Sequence, residues 1–343
     1  MPLLILNEDE LRQSITLSAT LEAVENAFTA TAESRLTIPG HFSLRLSDIN
    51  GEMDVKGAYL QEAPYYVVKV ASSFADNPTL NLPVNSGLIV VFDTATGFPA
   101  AIMLDNGYLS HIRAGAAGAL AAKYLANPES KQVAIIGAGR QAYAQLKALM
   151  TTRTISRVLV WDHSPLNADN YARRMVEDHD LDIQIAGSIN EAAQSANLII
   201  VTTSSSQPLL KAEWLKPGTH ITVAGSNNPS KQQLELDVLQ QADIIVVDNF
   251  EQCSTGGEIH HGLQAGVITK ADVQGELSSL IVGKIPGRTD PRQITLADLT
   301  GLDSQDAVVA TLAMEKAIFY GLGQRIEAGL DQSTVNSLSG SIL

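Results

Sequence analysis

The hydrophobic and polar positions follow two different patterns, and the change between them falls near residue 127. Before it, apolar residues recur at helical spacing over residues 18–33, and a shorter helical turn is expected over 8–12. Predicted β-strands follow at residues 41–46, 65–70, 87–93 and 99–104, the last two joined by an Asp-Thr-Ala-Thr-Gly turn. This part of the chain therefore predicts a mixed α+β domain of about 110 residues.

After residue 127, strand-like apolar runs recur along the chain. They span residues 133–136, 158–161, 198–202, 220–224 and 244–247. The first three intervals between them contain helical patterns, which is the alternation of a parallel, doubly wound sheet. A helix rich in Ala and Gly over 110–126 is expected at the junction of the two patterns. A helical segment over 305–322 either closes this sheet or returns to the first domain, and the tail from residue 331 is expected to be poorly ordered.

Composition narrows the class of protein. The chain has 343 residues, enough for roughly two domains, and its 37 acidic against 23 basic residues give a net charge of −14. This balance argues against a nucleic-acid partner, since phosphate contacts need a basic face. The single cysteine, Cys253, excludes a disulfide framework and a thiolate zinc cluster. No apolar run reaches the roughly 18 residues of a membrane span, and the N-terminus turns acidic too early for a signal peptide, so a cytoplasmic protein without a membrane partner is expected.

The strand over 133–136 is followed by a glycine-rich turn with the pattern G-x-G-x-x-A. Its residues are Gly137, Ala138, Gly139, Arg140, Gln141 and Ala142. Gly137 would permit the tight turn, Gly139 would let the backbone approach a pyrophosphate, and the next helix would aim N–H groups at the anion. The competing interpretation is an ordinary glycine turn of an α/β protein.

Asp162 ends the next strand, 25 residues after Gly137. A carboxylate there accepts hydrogen bonds from the adenosine ribose and repels a 2′-phosphate, which favours NAD(H) over NADP(H). The adjacent His163 leaves NADP(H) as an alternative cofactor. The competing interpretation of Asp162 is that it only caps the strand. Thr202 ends the third strand and Ser204 follows it, at the carboxyl end of a parallel sheet, which lines the cofactor crevice.

Two other groups of residues are weak candidates. His260 and His261 are adjacent, so on a helix their side chains point about 100° apart and do not chelate one ion easily. Nothing near Cys253 marks an activating base. The sequence therefore predicts neither a metal site nor a cysteine nucleophile.

Three basic residues stand out because basic residues are scarce. Arg45 and Lys69 lie in predicted strands, and Arg113 lies near the start of the Ala/Gly-rich helix. Each is equally well a surface charge or one member of an ion pair. Together they would suit a substrate carboxylate, with Arg supplying a bidentate fork, but sequence distance does not show that they converge.

Several segments, in their order and spacing, resemble the ornithine cyclodeaminase/μ-crystallin family. They lie at residues 69–72, 93–100, 107–116, 137–142, 224–231, 256–258, 283–288 and 300–302. The likeness runs from about residue 5 to 325, nearly the whole chain. Residues 54–59 and 105–109 look most like the subgroup associated with ectoine utilisation, and imine reductases are close in character.

The resemblance implies an architecture and a set of site residues. A Rossmann domain, residues 127–302, would be inserted into a mixed α+β substrate-binding and dimerisation domain, residues 1–126, to which 303–343 return. The protein would be a homodimer of amino-acid metabolism that transfers hydride between a nicotinamide and the α-carbon of an amino acid. Residues matching Arg45, Lys69 and Arg113 would bind the carboxylate, and the cofactor set would extend to Gly225 and Ser226.

Two departures from the family pattern affect the expected reaction. Asn227 stands where ornithine cyclodeaminases have an acidic residue, and an amide is not a carboxylate base at neutral pH. Lys56 stands where those enzymes place a Glu near the substrate amine, and a Lys would repel the ammonium of ornithine. We therefore expect an NAD(P)H-dependent imine reductase or amino-acid dehydrogenase, with Lys69 and Asn227 as catalytic residues. The alternatives are an ornithine cyclodeaminase-type lyase and a non-enzymatic dinucleotide-binding protein.

Overall fold

The computed structural model describes residues 2–40, 42–179, 181–226 and 228–327. These residues form two compact units: the first contains residues 2–16, 36–108 and 306–327, and the second contains 17–35 and 109–305. The tail from residue 331, for which disorder is expected from the sequence, lies outside the described residues.

The first unit is built on an eight-stranded mixed sheet, sheet A. Its strands are β1 (Pro2–Asn7), β2 (Leu36–Thr37), β3 (Phe42–Leu46), β4 (Gly51–Leu60), β5 (Tyr65–Phe74), β6 (Asn85–Asp93), β7 (Pro99–Leu104) and β16 (Gln324–Glu327). The strand order is β16-β1-β7-β6-β5-β4-β2, and β3 pairs with β4. Helix α1 (Glu8–Ser14) begins with a capping box, in which Asn7 and Glu10 each accept a hydrogen bond from the other's backbone N–H. The predicted α+β character, the helical turn at 8–12 and the predicted strands are therefore present, with β3 described from Phe42.

The second unit is built on a parallel sheet, sheet B, with the strand order β10-β9-β8-β11-β12-β15-β13-β14. Its strands are β8 (Gln132–Ile136), β9 (Arg157–Trp161), β10 (Asp182–Ile185), β11 (Leu198–Val201), β12 (His220–Val223), β13 (Ile244–Val247), β14 (Val273–Glu276) and β15 (Thr295–Asp298). The chain runs from β8 outward through β9 and β10 and then returns to β11 on the other side of β8. This reversal is the topological switch point of a doubly wound sheet, at whose carboxyl edge ligands bind. The predicted fold class is confirmed.

Helices accompany sheet B in the second unit. They are α2 (Leu17–Ala32), α3 (Tyr108–Leu125), α4 (Arg140–Thr152), α5 (Pro165–Asp178), α6 (Ile189–Ser195), α7 (Leu236–Gln241), α8 (Phe250–Gly256), α9 (Glu258–Gln264) and α10 (Leu277–Ile281). Helix α11 (Asp303–Tyr320) contains the boundary of the two units at residues 305/306. Of the described helices, none combines the length and apolarity that crossing a membrane requires.

Helices α2 and α3 group with the second unit, which differs from the domain boundaries expected from the family resemblance. Helix α2 packs against α4 and α10. Helix α3 approaches α4 so closely that a Cβ on Gly115 would lie 2.5 Å from the Ala144 carbonyl oxygen. Small residues on α3 thus allow its backbone to contact helix α4, which follows the glycine-rich turn.

The interval between β11 and β12 contradicts one expectation. Its described residues contain a 3-10 turn, Ala212–Trp214, and no α-helix. Pro208, Pro217 and Gly218 bracket this segment, and these residues interrupt helices. A single parallel bridge, Leu210 to Leu234, pairs the connection with another loop instead.

Candidate active site

The glycine-rich turn lies at the switch point of sheet B, between β8 and α4. Gly137 has φ +97°, and Gly139 is the N-cap residue of α4, which no side chain of the described residues caps. A Cβ built on Gly139 would meet no described atom within 4 Å, whereas one on Gly137 would lie 2.8 Å from Thr203 Cγ2. The packing of the turn therefore requires glycine at position 137. At position 139 the space above the backbone is open. That space and the uncapped helix fit a pyrophosphate.

Asp162 lies at the end of β9, next to this turn. Its Oδ2 accepts a hydrogen bond from Ala138 N at 2.8 Å, and its Oδ1 accepts one from Ser164 N at 2.9 Å. The side chain is 9% exposed, while the adjacent His163 is 86% exposed. The carboxylate is thus fixed against the turn, as the position of a ribose-binding acid requires.

The loops after β11 and β12 lie on the other side of the switch point. Thr202 N donates to Ile136 O, and Thr202 Oγ1 donates to Gly137 O at 3.1 Å, so Thr202 directly contacts the glycine-rich turn. Ser204 is exposed, as is Arg140 at the start of α4. These residues border one edge of sheet B together with Gly137.

Gly225 and Ser226 lie in the loop after β12 and contact residues of this loop and of the loop after β11. A Cβ on Gly225 would lie 2.3 Å from both Gln233 Nε2 and Thr203 O. Ser226 is 1% exposed, and its hydroxyl donates to Lys231 O at 2.9 Å. Glycine at 225 is required for packing against the loop after β11, and the Ser226 hydroxyl is engaged within its own loop.

Gln141, also in the first turn of α4, contacts helix α3. Its Oε1 lies 3.0 Å from His111 Nδ1, and its buried Nε2 has no hydrogen-bond partner among the described residues. Arg113 follows His111 by two residues and is held by Gln305, whose Oε1 accepts a hydrogen bond from Arg113 Nη1 at 3.3 Å. The sequence does not single out Gln305.

Three of the predicted cations lie on one face of sheet A. In the antiparallel register, Lys56 is directly opposite Lys69, and Arg45 is directly opposite Glu52, which shares a β4 face with Lys56. Side chains of directly opposed residues lie on the same face, with Cβ atoms about 5 Å apart. The first unit therefore places Arg45, Lys56 and Lys69 on one face, with Lys56 beside Lys69 and Arg45 four residues further along β4, opposite Glu52. Asp54 adds a carboxylate to this face between the two positions.

Lys69 forms a nearly buried ion pair. Its Nζ lies 3.2 Å from Asp306 Oδ1 and 3.1 Å from Oδ2, with side-chain exposures of 12% and 5%. Asp306 compensates the ammonium charge where water is largely excluded. Sequence reasoning missed Asp306, which lies 237 residues from Lys69 in a helix without a local motif. Asn227, the other predicted catalytic residue, lies outside the described residues.

The weak candidates have ordinary contacts. His260 Nδ1 lies 2.9 Å from Ser254 O, and His261 Nε2 lies 2.7 Å from Lys231 O, so the two rings contact different backbone carbonyls. Cys253 is buried beside Asp248, and burial raises the pKa of its thiol. A thiol that resists ionisation is a poor nucleophile.

Comparisons with known proteins agree with this geometry over nearly the whole chain. A structure of a dimeric archaeal alanine dehydrogenase with bound NAD has a TM-score of 0.90 and 35% identity, covering 96% of this chain and 100% of that chain. The Δ(1)-pyrroline-2-carboxylate reductase of Thermococcus litoralis, in complex with NADH and L-proline, has a TM-score of 0.91 and 32% identity, covering 94% and 100%. An uncharacterized cyclodeaminase of Sinorhizobium fredii is 36% identical over 326 residues, which are 94% of this chain and 98% of that protein.

The family model of the ornithine cyclodeaminase/mu-crystallin family matches residues 3–319. This match includes the glycine-rich turn, the cationic face of sheet A and Arg113. The chain therefore belongs to the ornithine cyclodeaminase/mu-crystallin family.

Proposed function

We propose that this protein is an NAD(H)-dependent imine reductase, or amino-acid dehydrogenase, acting on a small 2-imino or cyclic imino carboxylate. Reduction of Δ1-pyrroline-2-carboxylate to L-proline is the representative reaction. The observation that carries the proposal is the Gly137–Gly139 turn, which leaves open space above an uncapped helix at the switch point of sheet B. The similar alanine dehydrogenase and pyrroline-2-carboxylate reductase, each described with a nicotinamide cofactor, support it.

The cofactor would be held by backbone and side chains around the switch point. The contributing residues are Gly137, Ala138, Gly139, Arg140, Gln141, Asp162, Thr202, Ser204, Gly225 and Ser226. When bound, NADH supplies the hydride for the imine carbon. The Asp162 carboxylate favours NAD(H), because a 2′-phosphate beside it would be repelled, and NADP(H) is the alternative cofactor.

The chain's cations would bind and activate the substrate. Arg45, Lys69 and Arg113 bind the carboxylate, with Arg113 offering two parallel N–H donors, and Lys56 is a further substrate-binding residue. Lys69, whose charge is compensated by Asp306, or a bound water donates the proton to the imine nitrogen as the carbon accepts the hydride, so the product is the neutral amine before it takes up a proton from water. Asn227 is the other proposed catalytic residue, in a role other than that of a base, since an amide is not a base at neutral pH.

The second candidate is an ornithine cyclodeaminase-type lyase that uses NAD catalytically. The 36% identity to the uncharacterized cyclodeaminase favours it. The presence of Asn227 and Lys56 argues against it, because ammonia release needs a base and ornithine carries a second ammonium. A non-enzymatic NAD(H)-binding protein is the third candidate.

We also propose that the protein acts as a homodimer in the cytoplasm, through the first unit. The sheet A face opposite Lys69 carries apolar side chains such as Val68, Val90 and Ile102, which are half-buried, while Val67 and Val91 on the other face are buried. A cavity of about 790 Å³ lined by Met53, Val70, Leu88 and Leu104, among others, opens on this side. A partly covered apolar sheet face is typical of a protein interface, and the similar alanine dehydrogenase is a dimer.

An NADH-oxidation screen tests the proposed function. It offers the enzyme cyclic imino carboxylates, and 2-oxo acids together with ammonia or methylamine. We expect substrate-dependent loss of NADH with at least one imino carboxylate. Ammonia and proline formed from ornithine without net NADH change would identify the lyase instead, and saturable NADH binding without turnover of any compound would identify the binding protein.

A further inference from the structure

A buried carboxylate lies beside the carboxyl end of β13, away from the glycine-rich turn. Asp248 is 0% exposed. Its Oδ1 accepts hydrogen bonds from Asn249 N at 3.0 Å, Cys253 Sγ at 3.2 Å and Thr300 Oγ1 at 3.0 Å. Its Oδ2 accepts one from Gly301 N at 2.5 Å. Two of these four donors belong to the turn at residues 300–301, which Asp248 therefore ties to the end of β13.

The same turn is packed against Arg113. A Cβ built on Gly301 would lie 2.3 Å from Arg113 Nη1 and 3.0 Å from Arg113 Cζ. The Gly301 backbone, with φ +90°, thus lies against the guanidinium at a distance that only glycine allows. Gln252 Nε2 donates to Gly301 O at 3.0 Å and holds the turn from its other side.

We propose that Asp248 is a positioning residue for substrate binding, acting on Arg113 through Gly301. This inference rests on the proposed function, in which Arg113 binds the substrate carboxylate. Gln305 accepts a hydrogen bond from Nη1, and the turn held by Asp248 packs against the edge of the guanidinium formed by Nη1 and Nη2. A long arginine side chain loses rotational freedom when it binds a ligand, so fixing it in advance lowers that cost and improves the affinity for the carboxylate.

An isosteric change at Asp248 tests the role of its second oxygen. In Asp248→Asn one oxygen remains for the donors at Oδ1, and the amide NH₂ then faces Gly301 N, which is also a donor. The turn loses its anchor and Arg113 loses its support. Gly301→Ala removes the same support without touching Asp248, since its Cβ enters the guanidinium, and it keeps the test usable if Asp248→Asn folds poorly.

The kinetic readout compares two imines that differ only in the carboxylate, Δ1-pyrroline-2-carboxylate and Δ1-pyrroline. For both variants we expect KM for the carboxylated imine to rise on the order of tenfold, with less than a twofold change for the unsubstituted ring and for the NADH dissociation constant. Gly266→Ala is the matched control, because Gly266 also has positive φ, +70°, but its Cβ would meet no described atom within 4 Å. Equal effects on both imines, or no effect on either, would overturn the inference.

A second readout is independent of turnover. Phenylglyoxal labels arginine side chains, and peptide mass spectrometry measures the labelling rate at Arg113. We expect faster labelling in Asp248→Asn and in Gly301→Ala than in the wild type and Gly266→Ala, and equal rates in all four would contradict the inference. If the wild type reduces no imine at all, the proposed function fails, while the labelling rates still decide whether Asp248 positions Arg113.

Discussion

Two buried carboxylates in the second unit, Glu258 and Asp298, accept hydrogen bonds from backbone N–H groups. Glu258 Oε1 accepts from Gln233 N at 2.8 Å and Oε2 from Leu234 N at 3.0 Å, which anchors the loop that begins at Gly225. Asp298 is fully buried, and its Oδ2 accepts from Ile259 N at 3.0 Å. Burial raises the pKa of Glu258 to about 7, and burial, followed by the neighbouring Glu258, raises the pKa of Asp298 well above its ordinary value. These two residues therefore bind protons more tightly in the folded than in the unfolded protein.

Glu258 makes the stability of the second unit depend on pH. Between an ordinary pKa of 4.5 and about 7, the folded state keeps a proton that the unfolded state has released. The stabilisation is complete below pH 4.5 and is lost as the pH rises to 7, by at most about 1.4 kcal/mol per pH unit. We expect Glu258→Gln to have a less negative slope of unfolding free energy against pH over this range.

Urea denaturation followed by tryptophan fluorescence measures this slope. Both tryptophans, Trp161 and Trp214, belong to the second unit and report on it alone. The exposed Glu177→Gln on α5 is the control and should keep the slope of the wild type. If Glu258→Gln also kept it, the raised pKa of Glu258 would be wrong.

At the residue scale, the sequence singles out candidate site residues but not the residues they contact. Arg113 and Lys69 are recognised because cations are scarce and their surroundings resemble a family pattern. Their partners, Gln305 and Asp306, lie 192 and 237 residues away, and no local pattern links a residue to a contact that the folded chain creates. The support of Arg113 by Gly301 is likewise visible only in the structure.

At the scale of single elements, prediction succeeds where the pattern is local. The strand β8, the glycine-rich turn and helix α4 are contiguous, and each has a clear signal of its own. The sequence does not predict strand β4, although it is among the longest, because Gly51, Asp54, Lys56 and Gly57 have low β propensity. Its polar residues alternate onto the cationic face of sheet A, so the departure from strand-like composition coincides with the candidate site.

The glycine-rich turn allows a test that separates cofactor binding from folding. Gly139 has φ −88°, and its Cβ would meet no described atom within 4 Å, so Gly139→Ala should leave the melting temperature unchanged. The added methyl group would occupy the space through which the backbone approaches the pyrophosphate. We expect the NADH dissociation constant to rise on the order of tenfold.

Gly40→Ala is the control for this substitution, since a Cβ there also meets no described atom within 4 Å. Fluorescence titration gives the NADH affinity and differential scanning fluorimetry gives the melting temperature. Unchanged NADH affinity in Gly139→Ala would exclude this turn as the pyrophosphate site.

At the scale of the whole molecule, the sequence predicts two domains of the observed fold classes, but not which helices accompany each. The helical patterns over 18–33 and 110–126 indicate α2 and α3 without indicating their packing partners. Their placement depends on close backbone contacts such as that of Gly115 with α4, which periodicity does not encode. The proposed dimer, similarly, would depend on a whole sheet face rather than on a motif.

Introducing charged residues on the apolar face of sheet A that carries Val68 and Val90 tests the proposed dimer. Val68 and Val90 are directly opposed on β5 and β6, so Val68→Lys with Val90→Lys places two ammonium groups at the centre of the apolar face. Light scattering coupled to gel filtration should give about twice 36.5 kDa for the wild type and 36.5 kDa for the double variant. Val176→Lys, at an exposed position on α5, should keep the wild-type mass. A monomeric wild type, or a double variant that stays dimeric, would contradict the proposed interface.

As an imine reductase, the protein would move a hydride from the nicotinamide to the α-carbon of an imino carboxylate. Reduction of Δ1-pyrroline-2-carboxylate with NADH deuterated at the transferred position measures this directly, because mass spectrometry of the product shows where the deuterium goes. We expect L-proline with one deuterium at the α-carbon and one NADH consumed per proline formed. If the deuterium stays in the cofactor and the imine is unchanged, while ornithine is converted to proline and ammonia without net consumption of NADH, the protein is not an imine reductase.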